Sequence, residues 1–244
     1  MCGCKSIGNG ESYSFTAVNA TIAVIADGFQ EDLITCIKSI RAHTDIPIYI
    51  ETSGKENKTL CEPLAEFANL TANWQKNKLG WGHSVNQLLG RINSKYVILM
   101  DPSTQFTGDA ITPTIAKFAE GYKADGWRGG LVNLEDGWRS TEDKGDGEVD
   151  VLFSYFMVFD REFMVAAGGA NPSATYYRNA DIEMSLVIRE NGGKLLQIDL
   201  PLTQGRHHGY HDVNPEYRDK NSKKNYQRIL ERFRGREDIL APRR

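Results

Sequence analysis

Cysteine, proline and long apolar runs are all scarce in this chain, and each scarcity closes off a class of protein. Four cysteines in 244 residues, two of them crowded into Met1-Cys2-Gly3-Cys4, are too few and too unevenly placed for a secreted disulfide framework. A reducing compartment is expected. No second cysteine pair stands at zinc spacing, so Cys2 and Cys4 read as a frayed terminus rather than half of a metal site. The longest apolar run, Tyr96 to Met100, is far too short to span a bilayer, and no apolar signal core opens the chain. The expectation is therefore a soluble, cytoplasmic protein. Eight prolines and 23 glycines without a period exclude collagenous and low-complexity sequence. A dominant charge sign is missing too: 29 Lys+Arg nearly cancel 32 Asp+Glu, and a net charge of -3 gives no global reason to expect nucleic acid as a partner. What remains is ordinary globular composition, 40% hydrophobic and 25% charged. That length suits one large domain or two small ones.

Residues 1–19 are Gly/Ser/Asn-rich and aperiodic and read as a flexible segment. Thr21 to Ala26 then predicts a buried strand ending at Asp27-Gly28, followed by a helix over about 30–43 with Leu33, Ile37 and Ile40 on one stripe. Ile46 to Ile50 predicts the next strand, ending at Glu51-Thr52-Ser53-Gly54. Leu60, Leu64 and Phe67 predict a second helix, Leu70 to Trp74 a short strand, and Val85, Leu88 and Leu89 a helix after the turn at Asn77-Lys78-Leu79-Gly80. The apolar run 96–100 stops at Asp101-Pro102. Strands that are apolar throughout, alternating with helices, are the pattern of a mostly parallel sheet covered on both faces. Right-handed crossovers put the carboxyl ends of such strands on one edge, where ligands bind. Asp27, Glu51, the 77–80 turn and Asp101 line that edge.

The second half is less regular. Asp136-Gly137 predicts a hairpin turn, and Ser140 to Asp150 a mobile polar loop whose acids lack the spacing of a calcium loop. Val151 to Phe159 predicts one long strand, Asp160 to Ala167 a short helix, Asp181 to Asn191 a longer one, and Lys194 to Ile198 a strand. Tyr226, Ile229, Leu230 and Phe233 form a stripe with Lys and Arg around it, which suits a basic amphipathic helix on an anionic membrane surface or a helix packed on the core. Charge is segregated: residues 201–244 hold 11 Lys+Arg and 6 Asp+Glu, against 18 and 26 in residues 1–200. Such a split points to an anion near the C-terminal end, a diphosphate or a membrane phosphate.

Three groups could carry chemistry. Asp101 precedes Pro102, which favours extended backbone there, so its carboxylate either projects into the cleft or forms a turn. Asp181, in Asn179-Ala180-Asp181-Ile182-Glu183, is placed either to cap a helix or to act as a general base. Three of the five histidines fall in Arg206-His207-His208-Gly209-Tyr210-His211, where imidazoles suit a divalent-cation or diphosphate site, or simply a solvated loop.

Taken in order, these elements resemble glycosyltransferase family 2, nucleotide-sugar-dependent transferases of GT-A fold, over about residues 20–235. Glu51 looks like the acid ending the family's second strand. Lys78-Leu79-Gly80 and Asn86 are similar to its Asn-x-Gly turn and following helix, Asp101-Pro102-Ser103 to its Asp-x-Asp, and Ala180-Asp181 to its Glu-Asp element. Pro201 through His207-His208 looks like the end of its core. The resemblance implies a Rossmann-like catalytic domain over 20–215, with a nucleotide-binding half to about 105 and an acceptor half after it, then a basic C-terminal helix and tail over 216–244. It also implies donor binding by Asp27, Glu51, Lys78, Gly80, Asn86, Asp101 and Ser103, and a divalent cation, Mg2+ or Mn2+, at Asp101, His207 and His208. Asp181 would be the base of an inverting transfer to a glycan, lipid-linked or small-molecule hydroxyl, in polysaccharide or glycolipid assembly. The site would be cytoplasmic, with the basic helix offering contact to the inner face of the membrane. Two departures stand out: Ser103 replaces the second Asp, and Ala180 replaces the Glu. A non-catalytic sugar- or nucleotide-binding module therefore stays open as an alternative, whereas a nucleotidyltransferase would be expected to carry a Gly-rich basic loop that Asp27-Gly28-Phe29-Gln30 is not.

Overall fold

The computed structural model describes residues 19–142, 145–205 and 214–243. β1 (Ala20–Ala26), β2 (Ile48–Ser53), β3 (Leu70–Gln75) and β4 (Tyr96–Met100) are all parallel, in the order β3-β2-β1-β4. β1 lies between two partners, and six of its seven residues are buried. Its strand neighbours supply hydrogen bonds on both sides and helices cover both faces, which is why a continuous apolar run is stable there. α1 (Gln30–Arg41) buries Leu33, Ile37 and Ile40 on one face of the sheet, and α2 (Trp81–Arg91) buries Val85, Leu88 and Leu89 on the other.

The chain then continues through β5 (Thr104–Phe106), α3 (Ile111–Lys117), β6 (Ala124–Gly126), β7 (Gly129–Asn133), β8 (Arg139–Glu142), β9 (Gly147–Val149), β10 (Val151–Leu152) and β11 (Phe156–Asp160). It closes with α4 (Arg161–Ala166), α5 (Ala180–Glu190), β12 (Leu195–Gln197), β13 (Leu202–Gln204) and α6 (Pro215–Phe233). The large sheet has the order β3-β2-β1-β4-β11-β6-β12-β9, with β11 antiparallel to both β4 and β6. β10-β7-β8 form a second sheet, and β13-β5 a third.

Three expectations change. No α-helix forms around Leu60, Leu64 and Phe67; two 3-10 turns, Lys55–Asn57 and Glu62–Leu64, stand there instead. Pro63 withholds a backbone donor from any longer helix, yet Leu60 and Leu64 are still buried. The polar segment 140–150 contains strands β8 and β9 rather than only a loop. The single strand expected over 151–159 is two, because the chain leaves the β10 sheet at Phe153 and enters the large sheet at Phe156. Of the two places expected for the apolar stripe of the C-terminal helix, it takes the one on the core: Ile229 and Phe233 of α6 are buried against Ile182 and Leu186 of α5. A buried ion pair joins the same two helices, Arg228 Nη2 to Glu183 Oε2 at 2.8 Å. No helix among the described residues is long and apolar enough to cross a membrane.

Among the buried side-chain atoms without a hydrogen-bond partner, those of one acid stand out. Asp125 of β6 is fully buried, in register with Val158 and Leu196, and neither carboxylate oxygen has a hydrogen-bond partner among the described residues. Burial pushes its pKa far up, and Lys117 opposes this only in part. Below about pH 4 the carboxyl is protonated in both states; at higher pH ionisation favours the unfolded chain alone, so stability falls. Asp125→Asn should raise the unfolding free energy at pH 8 by about 1–3 kcal/mol, and by less at pH 5. Urea melts at the two pH values measure this, and an equal gain at both would refute ionisation as the cause. Arg228→Met should instead cost about 3 kcal/mol by leaving Glu183 buried and unpaired.

Candidate functional site

The carboxyl ends of β1, β2 and β4 open into a cavity whose wall includes Asp27, Glu51, Lys78, Asp101 and Ser103. Each acid is held differently. Asp27, just past β1, receives Lys78 Nζ at 2.7 Å and Asn57 Nδ2 at 2.8 Å on the same oxygen. Lys78 also reaches Glu56 at 3.2 Å, so the 77–80 turn is tied to two other loops. Ser53 Oγ accepts the Leu79 N–H at 2.9 Å and fixes the same turn. Glu51 lies inside β2, not beyond its end, and is fully buried. Its carboxylate accepts both Asn73 Nδ2 and Gln75 Nε2 from the neighbouring strand, at 2.8 to 2.9 Å. Sequence reasoning missed these amides, although Asn73 and Gln75 alternate on one face of β3 and Asn73 is in register with Glu51. Phe29, 41% exposed on the cavity wall, has φ 54°, a left-handed conformation that costs a non-glycine residue energy.

Gly80 and Asn86 do not line this cavity. Gly80 precedes α2 where a Cβ would come within 2.7 Å of the Thr175 backbone, so glycine is required for close approach. The Asn86 amide clamps Ala170, donating to its carbonyl at 2.8 Å and accepting its N–H at 2.9 Å. Both positions therefore brace the loop ahead of α5.

Asp101 stands at a junction. Its N–H donates to Tyr155 O at 3.1 Å, and its Oδ1 accepts both the N–H and the hydroxyl of Ser103, at 2.8 and 2.5 Å. Asp101, Ser154 and Tyr177 also line a second, wider cavity, which contains Asp181. Asp181 is not the cap of α5 but its second residue; Asn179 precedes the helix, at φ 66° and without a side-chain capping bond. The Asp181 carboxylate, at the edge of this cavity, is held by neighbouring donors. Oδ2 accepts the Ser154 N–H at 3.1 Å and hydroxyl at 3.3 Å, and Oδ1 accepts the Ile182 N–H at 2.9 Å. These bonds favour the carboxylate, but burial outweighs them and pushes its pKa up to about 6. A group with that pKa is ionised at neutral pH and still basic enough to take a proton. α6 supplies another wall of this cavity through Asp219, Ser222, Lys223 and Tyr226, a contribution that the sequence did not signal.

Whether a divalent cation fits depends on ligand count. Asp101 Oδ1 is engaged by Ser103, and no group of three His, Cys, Asp or Glu side chains comes together among the described residues. His207 and His208 lie outside the described residues, as do Cys2 and Cys4. The described residues alone thus do not make the expected metal site.

No protein-family model matches the chain, and no curated protein matches it by sequence. Solved structures do. GalNAc-T7 with UDP, GalNAc and Mn2+ superposes with a TM-score of 0.70 at 13% identity, covering 90% of this chain and 48% of that one. The mannosyltransferase PcManGT from Pyrobaculum calidifontis, in complex with GDP-Man and Mn2+, gives 0.61 at 14% identity, covering 87% and 64%. Both are GT-A glycosyltransferases, and the fold of this chain is GT-A. The chain spans about half the length of the first and under two thirds of the second.

Removing the Ser154 hydroxyl should raise the Asp181 pKa further, because a donor to the charged form is lost. Carboxyl-resolved NMR titration of Ser154→Ala against wild type measures this; an unchanged midpoint would show that the hydroxyl does not stabilise the carboxylate.

Proposed function

We propose that this chain is a glycosyltransferase that moves a sugar from a nucleotide-diphosphate sugar to an acceptor hydroxyl with inversion. The observation that carries this reading is the meeting of two cavities at Asp101, with a buried carboxylate, Asp181, facing the second. The UDP and GDP-Man held by the two structural neighbours support a nucleotide sugar in the first cavity. Asp27, Glu51 and Lys78 then hold the nucleotide, and Asp101 the sugar end. An acceptor hydroxyl in the second cavity gives its proton to Asp181 as its oxygen bonds to the anomeric carbon, and the bond from that carbon to the diphosphate oxygen breaks on the opposite side. The nucleotide diphosphate leaves with the electron pair. Positioning supplies much of the rate, since both reactants are held rather than met by diffusion. The order of Glu51, Lys78-Leu79-Gly80, Asp101 and Asp181 supports family 2 within this fold, and with it a role in glycan or glycolipid assembly.

Asp181→Asn should lower kcat by about 10²–10⁴-fold and leave UDP or GDP binding intact. Because Asp181 must be ionised, the wild-type rate should fall as pH drops through about 6. A screen of UDP- and GDP-sugars for binding, hydrolysis and transfer comes first. Ser103, where a second acid is expected, favours a non-catalytic binding module as the rival, and binding without hydrolysis or transfer would establish it. Both neighbours hold Mn2+, so divalent-cation dependence is a separate test: activity unaffected by EDTA rules it out.

A further inference from the structure

The second cavity has a polarity of its own. At its floor are two acids, Asp101 and Asp181, each held by a serine. At its mouth stand Arg178, in the turn before α5, and Lys223, on α6. Their backbones adjoin: Asn179 Nδ2 donates to Ser222 O and Oγ, both at 3.1 Å, and Asn225 Nδ2 donates to Arg178 O at 2.9 Å. The two cations therefore issue from one braced corner of the wall, and both are exposed.

The other charges of the mouth are already matched. Glu142 pairs with Arg128 at 3.2 Å and Asp219 with Arg218 at 2.6 Å, and neither arginine lines the cavity. Arg139 pairs with Asp136 at 3.6 Å. Arg178 and Lys223 enter no ion pair among the described residues. The wall also carries the aromatic side chains Phe153, Tyr155, Tyr177 and Tyr226, against which a sugar ring can lie.

We propose that the acceptor is an anionic sugar whose carboxylate or phosphate is held at the cavity mouth by Arg178 and Lys223. This rests on the reading of the second cavity as the acceptor site. The arrangement orients such a molecule: its charge pairs at the mouth while its opposite end, with a hydroxyl, points to Asp181. A neutral sugar meets the same aromatic side chains but leaves both cations to solvent, so the charge distinguishes acceptors by their anionic group.

The test uses the full chain with the first cavity filled by saturating UDP, or GDP if that binds better. Three probes are titrated by ligand-observed NMR: methyl β-D-glucuronide for a carboxylate, glucose 1-phosphate for a phosphate, and methyl β-D-glucoside as the neutral control. At least one anionic probe should bind about tenfold or more tightly than the neutral one, with the preference shrinking as salt rises. The better anionic probe names the source of the charge. Arg178→Gln with Lys223→Gln should abolish the preference, and Arg178→Lys with Lys223→Arg should keep it, with UDP affinity unchanged in both. Equal affinity for all three probes, no measurable binding of either anion, or a preference surviving the double Gln change would overturn the proposal. Failure of the wild type to bind any nucleotide would count instead against the glycosyl-transfer reading, because the anion preference is still measured.

Discussion

The pairing of β4 with β11 is the constraint on which both cavities depend. Met100 lies opposite Phe156 and Tyr96 opposite Asp160, so the residues just beyond each strand end, Asp101 and Tyr155, face one another and are hydrogen-bonded. Ser154 follows one position further along the same turn and reaches Asp181. A single register thus sets where the first acid ends and where the second is held. A slip by one residue would turn Val158 and Phe159 to the wrong faces of the sheet, which the cores on both sides forbid. The antiparallel direction matters equally: it brings a strand that starts at the ligand edge beside one that ends there.

Buried acids are plentiful around this frame, and each is compensated by a different means. Glu51 is held by two amides and Asp181 by a serine and a helix N–H. Glu183 meets Arg228, and Asp150 accepts the Val132 and Ala241 N–H groups besides pairing with Arg243 at 2.6 Å. Glu190, only half-buried, pairs with Arg232 and Arg236. Four cations of the C-terminal segment, Arg228, Arg232, Arg236 and Arg243, therefore meet acids of the body. Arg178 and Lys223 are the cations lining the second cavity that enter no ion pair among the described residues. Asp125 is the exception: no hydrogen-bond donor meets its carboxyl among the described residues, and burial pushes its pKa up.

Much of the fold was legible because its signals are local. Apolar runs of strand length, separated by helical stripes, located β1 through β4 and placed Asp27 and Asp101 just past two strand ends. The site was legible only in part. Gly80 and Asn86 have the residue types of a binding turn, but their partners, Thr175 and Ala170, are more than 80 positions away and turn both into braces. Ser154 could not be matched to Asp181 while residues 151–159 read as one strand. The apolar stripe of α6 was visible; what it covers was not.

The sequence by itself determined the elements, the parallel half of the sheet and the acids at its ligand edge, since these follow from periodicity and from chain direction. Tertiary structure decided which carboxylate is buried enough to sit near pKa 6, which amides and arginines compensate the others, and that the last helix walls a cavity. Those are properties of contacts between residues distant in sequence, and burial, unlike pattern, exists only once the chain has packed.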